Sequence, residues 1–178
     1  ILGALATCCI AVVALCTVWL QDLPDYNDAS AYNYAEKTKV YANDGTTLLA
    51  EFYLENRDPI DLDEMGTYVT KGTVATEDER FYQHNGIDVL GIARAVWVNV
   101  THTGHEGAST ITQQFVRNTI LADEATESTL KRKVREAYIA IKLEESYSKD
   151  EILQMYLNTI NYGQGAYGIQ AAAQRYYS

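Results

Sequence analysis

The first twenty residues, ILGALATCCIAVVALCTVWL, carry no charge at any position. At about 1.5 Å of rise per residue, such a run forms a helix of roughly 30 Å, matching a bilayer's hydrocarbon thickness, so it predicts a transmembrane anchor over 1–20. A cleaved signal peptide has a shorter apolar core, and Trp19 stands where an interfacial aromatic belongs. Residues 21–36 are polar and tyrosine-containing and read as a juxtamembrane linker. TKVYANDGTTLLAEFYLENR then places two β-type stretches around Asp44-Gly45, which predicts a hairpin.

From about Asp61 the apolar positions recur at helical spacing. Asp63 is expected to cap a helix running toward Glu77, and Asp88 one through GIARAVWVNV. Thr110 with Gln113 reads as a capping box for a helix through Ile120, and Ser148 with Glu151 as a second for a helix toward Asn158. Between these, a helix over 128–146 puts Leu130, Val134, Ala137 and Ile141 on one face. NYGQGAYGIQ is a glycine-containing turn into a last helix, AAAQRYY. The fold class expected is mainly α, with a small β-hairpin near the membrane.

Charge adds orientation. The net charge of -10 lies wholly outside the first twenty residues, and Asp22, Asp25 and Asp28 precede the first basic residue, Lys37. Basic flanks stay cytoplasmic, so the domain is expected on the outer side of the membrane. The absence of a basic flank before Ile1 predicts that the natural chain starts earlier. So acidic a domain argues against nucleic acid as a partner. Cys8, Cys9 and Cys16 all lie in the apolar run, leaving no disulfide to brace the domain. One core is expected for a chain of 178 residues.

Three stretches carry candidate chemistry. Glu77, Asp78 and Glu79 are a solvated charge run or the acid/base end of a site; they follow apolar Val74 and Ala75, and partial desolvation of such a carboxylate would raise it toward a general base. GASTITQQFVRN, at 107–118, offers backbone N–H groups with Ser109, Thr110, Gln113 and Gln114 as a donor-rich wall for sugar hydroxyls or phosphate oxygens, or is a plain capped helix. Lys131, Arg132, Lys133 and Arg135 make a basic patch around Glu136. It is an exposed face with an i,i+4 pair or a diphosphate clamp. His84, His102 and His105 show no zinc spacing, and His84 reads as a structural hydrogen-bonding residue. No Walker loop, nucleophile elbow or dinucleotide fingerprint is present.

Together these stretches resemble the peptidoglycan glycosyltransferases, family 51, of bifunctional penicillin-binding proteins and monofunctional transglycosylases. Five blocks occur in the family's order: EDERFYQHNG at 77–86, GASTITQQ at 107–114, RKVRE at 132–136, KDEILQMYLN at 149–158 and YGQGAYGIQAAAQRYY at 162–177. The resemblance implies a lysozyme-like glycosyltransferase domain over 37–178, cut short at its C-terminal end. It implies an enzyme that polymerises lipid II outside the cytoplasmic membrane with inversion and release of polyprenyl diphosphate.

Carried over by motif, Glu77 and Glu136 are the catalytic pair, with Glu77 the base. Ser109, Gln113, Gln114, Arg117, Arg132 and Lys133 line the donor and diphosphate region, and Asp78, His84 and Thr110 join them as substrate-binding residues. The family often uses a divalent cation, magnesium or manganese, at the diphosphate, and no metal-ligand spacing here shows one. Expected partners are lipid II, the growing glycan strand and membrane lipid, with cell-wall synthesis or division proteins beyond them. A glycan-cleaving lysozyme relative would also use one or two carboxylates, but it has less use for a cation cluster beside a membrane span. A non-catalytic membrane-tethered module with the same fold is the alternative outside enzymes.

Overall fold

The computed structural model of the protein describes residues 2–26, 38–53, 55–101 and 107–177. Helix α1, Leu2–Trp19, is followed by strands β1, Thr38–Tyr41, and β2, Leu48–Phe52. The short strand β3, Asn56–Arg57, leads into α2, Thr67–Glu77, and α3, Val89–Val100. Helices α4, Ile111–Asn118, α5, Leu130–Ser146, and α6, Lys149–Thr159, form the body, and β4, Ala166–Tyr167, precedes α7, Ile169–Tyr177. The architecture is mainly helical with small two-stranded sheets.

The expected hairpin is present as the antiparallel pair β1–β2, with a bulge at Val40/Tyr41. Its turn is set by Asp44, whose carboxylate accepts from the backbone N–H groups of Thr46 and Thr47 and from the Thr47 hydroxyl. These donors hold Asp44 down at about 2. A second pairing, β3 parallel to β4, has no counterpart in the sequence pattern. Buried Arg57 secures it, donating from Nη1 to the Asn158 and Thr159 carbonyls at 2.9 and 3.3 Å.

Helix α4 is the axle. Five of its eight residues are buried, and Ile111, Phe115 and Val116 meet Ile139, Ala140 and Leu143 of α5 and Ile152, Leu153 and Leu157 of α6. Both predicted capping boxes are formed, at Thr110/Gln113 and Ser148/Glu151, and the Asp88 side chain accepts from the Gly91 N–H to cap α3. Asp63 does not cap α2. Gly66 holds that position at φ 76°, a value favoured in glycine, and Asp63 lies in the preceding turn.

The face of α5 is also corrected. Its buried stripe is Arg135, Glu136, Ile139, Ala140 and Leu143, while Leu130 is exposed. Gly86, at φ 83°, packs so closely on α5 that a Cβ would come within 2.6 Å of the Ile141 nitrogen.

Helix α1 is 18 residues long, about 27 Å at helical rise, and is short of the roughly 30 Å of a hydrocarbon core. Among the described residues no helix is long and apolar enough to cross a membrane. Its C-terminal end is bolted to α5: Arg135 donates to the Trp19 carbonyl at 3.0 Å and the Asp22 carbonyl at 2.9 Å, and pairs with Glu124 at 2.9 Å. Leu23 and Tyr26, at the start of the expected linker, pack on the core, with Tyr26 edge-on to Tyr138 at 6.1 Å. The remainder of that linker, residues 27–36, and His102 and His105 lie outside the described residues.

Candidate active site

The three carboxylates of the acidic triplet go three ways. Glu77 ends α2 and is exposed, and the Gln114 side-chain amide on α4 donates to its Oε2 at 2.9 Å. Asp78 is the desolvated one: buried, it accepts from His84 Nε2 at 3.0 Å and from the Ile111 backbone N–H at 3.0 Å, tying the end of α2 to the start of α4. Glu79 is exposed, 4.0 Å from Arg80 and from Arg94. The desolvation expected for a carboxylate of this run falls on Asp78, because the chain turns there and buries that side chain, while Glu77 stays exposed.

Glu77 opens onto a cleft of about 400 Å³ lined also by Thr76, Gly107, Ser109, Gln114 and Arg117. An adjoining cavity of about 140 Å³ shares Glu77 and Ser109 and extends to Arg80 and Arg94. Neither arginine is among the site residues expected from sequence. Arg80 is drawn toward the cap of α3, where its Nη2 lies 2.6 Å from Asp88 Oδ2 and holds that carboxyl below its ordinary range.

The basic stretch splits into two. Glu136, at 0 % exposure, sits between Arg132, which pairs with its Oε1, and Lys133, whose Nζ is 3.0 Å from its Oε2. Lys133 also donates to Ser109 Oγ at 2.5 Å, so α5 reaches the floor of the Glu77 cleft. Burial, then the like charges of Arg117 and Arg132, push Lys133 down to about 8. Those three cations therefore converge. Arg135 does not join them, since it is 4 % exposed and engaged with the end of α1.

Glu77 and Glu136, 59 positions apart, are thus linked through Ser109 and Lys133 on one side of the molecule. Thr110 and Gln113 are buried and committed to the capping box, and the Thr110 hydroxyl donates to the Gly86 carbonyl at 2.7 Å. They and the Asp78–His84 pair hold the cleft in shape from beneath. Two tyrosines that the motifs do not mark as site residues lie in the field of Glu77. Burial and then the Glu77 charge raise Tyr156 well above its ordinary value and Tyr162 to about 12. Tyr156 stands in the block KDEILQMYLN and packs in the core from α6, and nothing local in the sequence points it at the cleft.

Among the described residues no group of three or more His, Cys, Asp or Glu could hold a metal ion. The cationic end of the cleft offers arginine and lysine, with Glu136 already paired, so its donor set does not fit a protein-held cation.

The family model described as Transglycosylase matches residues 44–178. Penicillin-binding protein 1A of Rickettsia felis is 39 % identical over 162 residues, covering 89 % of this chain and 20 % of that protein. Penicillin-binding protein 2D of Bacillus subtilis is 42 % identical over 177 residues, 99 % of this chain and 25 % of its own length. Penicillin-binding protein 1A of Escherichia coli is 41 % identical over 180 residues, with 97 % and 21 % covered. The chain spans about a fifth to a quarter of the length of these relatives.

Proposed function

The chain belongs to the peptidoglycan transglycosylase family, and on that premise we propose that it polymerises lipid II into β-1,4 glycan strands. The observation that carries this reading is a cleft lined by an exposed carboxylate, Glu77, and by Arg117, with Ser109 in its wall bonded to Lys133, which also feels the charges of Arg117 and Arg132.

In the proposed reaction the 4-hydroxyl of the acceptor's N-acetylglucosamine attacks C1 of the donor's N-acetylmuramic acid. Glu77 takes the hydroxyl proton as the C1–O bond to the diphosphate breaks, and attack from the face opposite the leaving group inverts C1. The electron pair leaves on polyprenyl diphosphate, whose charge the cations neutralise. Glu136 acts from beneath, holding Arg132 and Lys133 in place. Ser109, Gln114 and Arg117 line the cleft where substrate oxygens would lie. Any divalent cation at the diphosphate would be held by phosphate oxygens, and no step here depends on one.

We also infer attachment to membrane. Two apolar surfaces support it: uncharged α1, and α3, which exposes Val89, Leu90, Val96, Trp97 and Val100, each more than half exposed. On this reading α1 contributes the anchor and the cleft lies on the extracytoplasmic side, within a larger penicillin-binding protein.

The test is glycan polymerisation from labelled lipid II in detergent, comparing Glu77→Gln with the parent. The expected loss of turnover is about 10²- to 10⁴-fold at unchanged thermal midpoint. Equal polymer from both would remove Glu77 as the base, and none from the folded parent would overturn the glycosyltransferase reading.

A further inference from the structure

Among the described residues Gln114 is the side chain that holds Glu77, and what holds Gln114 is a residue of the core. The Tyr156 hydroxyl donates to Gln114 Oε1 at 3.0 Å, and Gln114 Nε2 donates to Glu77 Oε2 at 2.9 Å. The chain of donors runs from α6, across α4, to the last residue of α2. We propose that Tyr156 is a positioning residue for the base: its buried hydroxyl fixes the side-chain amide of Gln114 so that the NH₂ group, and not the carbonyl, faces Glu77.

The chemistry of the three groups leaves one self-consistent arrangement. An ionised carboxylate only accepts, so Glu77 requires the amide NH₂. That turns Oε1 toward Tyr156, where a hydroxyl is needed as donor. Tyr156 is 2 % exposed, so its ring is clamped by the core and the hydroxyl cannot swing away as a surface side chain would. Burial and the nearby Glu77 charge both keep the phenol protonated and able to donate. Without it, the amide loses its reason to prefer one orientation, and the flipped form sets a carbonyl oxygen against a carboxylate. A carboxylate deprived of a donor is also easier to protonate.

The inference rests on Glu77 being the base, and the experiment separates the two. Polymerisation kinetics are measured from pH 5 to 9 for the parent, Tyr156→Phe, Gln114→Leu and the double variant, with thermal midpoints alongside. Removing one oxygen keeps the aromatic ring that the core needs. Tyr156→Phe is expected to lower kcat about tenfold with little change in KM, and to move the acid limb of kcat/KM to higher pH. In the Gln114→Leu background the same substitution is expected to change kcat less than about twofold, because the relay is already cut.

The other ionisable groups around Glu77 are unchanged in these variants: Asp78, Glu79, Arg80, Asp88, Arg94, Arg117 and Tyr162. Gln114→Leu reaches the relay without touching the buried ring, and it must reproduce the shift even where Tyr156→Phe folds poorly. A parent that polymerises beside a Tyr156→Phe enzyme of identical rate and pH profile overturns the inference while leaving the base intact. So does an equal loss in both backgrounds, which would mark Tyr156 as structural only. A folded parent that makes no polymer removes the base, and this role with it.

Discussion

The charge of Lys133 is opposed by burial and by its cationic neighbours, while the Glu136 carboxylate 3.0 Å away favours it. Burial and the neighbouring Arg117 and Arg132 bring it to about 8, against an ordinary 10.5. Polymerisation is therefore expected to fall as pH rises through about 8, where the ammonium facing the diphosphate is lost. Lys133→Arg, which keeps its charge, should extend the plateau to higher pH. A parent profile flat from pH 7 to 10 would sink this prediction. The stability sign is the opposite. The unfolded chain keeps this proton until about 10.5 and the folded chain releases it near 8, so this group's contribution to stability rises between those values. The motifs that carry the family resemblance pointed to Glu77, Ser109, Gln114 and Arg117, which line one cleft, and to Lys133, which bonds to Ser109. They did not show which carboxylate of the run, Glu77, Asp78 or Glu79, would be buried, and it is Asp78. Which of two adjacent carboxylates is buried depends on a turn, on His84 and on the Ile111 N–H, 33 positions away.

At the level of elements, the starts of α4 and α6 were legible because a capping box is a local i,i+3 pattern, and both predicted boxes formed. The α5 face was misread for a physical reason. Its buried stripe includes Arg135 and Glu136, which hydropathy assigns to water and which the fold buries because each finds partners. The β3–β4 pair stayed hidden because two residues on each side, more than a hundred positions apart, leave no pattern to read. The start of α4 carries the elemental prediction. The Thr110 hydroxyl accepts from the Gln113 N–H at 3.1 Å and donates to the Gly86 carbonyl at 2.7 Å, all out of contact with water. Thr110→Ala should cost about 1–3 kcal/mol in urea denaturation. Thr110→Ser, which keeps the hydroxyl, should recover most of it. A loss below about 0.5 kcal/mol would show that the cap does not hold the start of α4 against the Gly86 turn.

Over the whole molecule, charge and apolar surface divide the roles. The chain is strongly acidic, yet its cleft gathers cations and its exposed helices α1 and α3 present apolar side chains. On the membrane reading, replacing Leu90 and Trp97, both 71 % exposed, by serine should weaken binding to lipid vesicles by about tenfold per residue at unchanged thermal midpoint. Unchanged vesicle binding by the double variant would leave α3 without that role. A last consequence follows from Arg135 gripping the carbonyls of Trp19 and Asp22. With its last turn clasped to α5, α1 leaves the domain from a fastened root and not from a slack tether, so any pull along the rod is felt first by Arg135 and the helix that bears it.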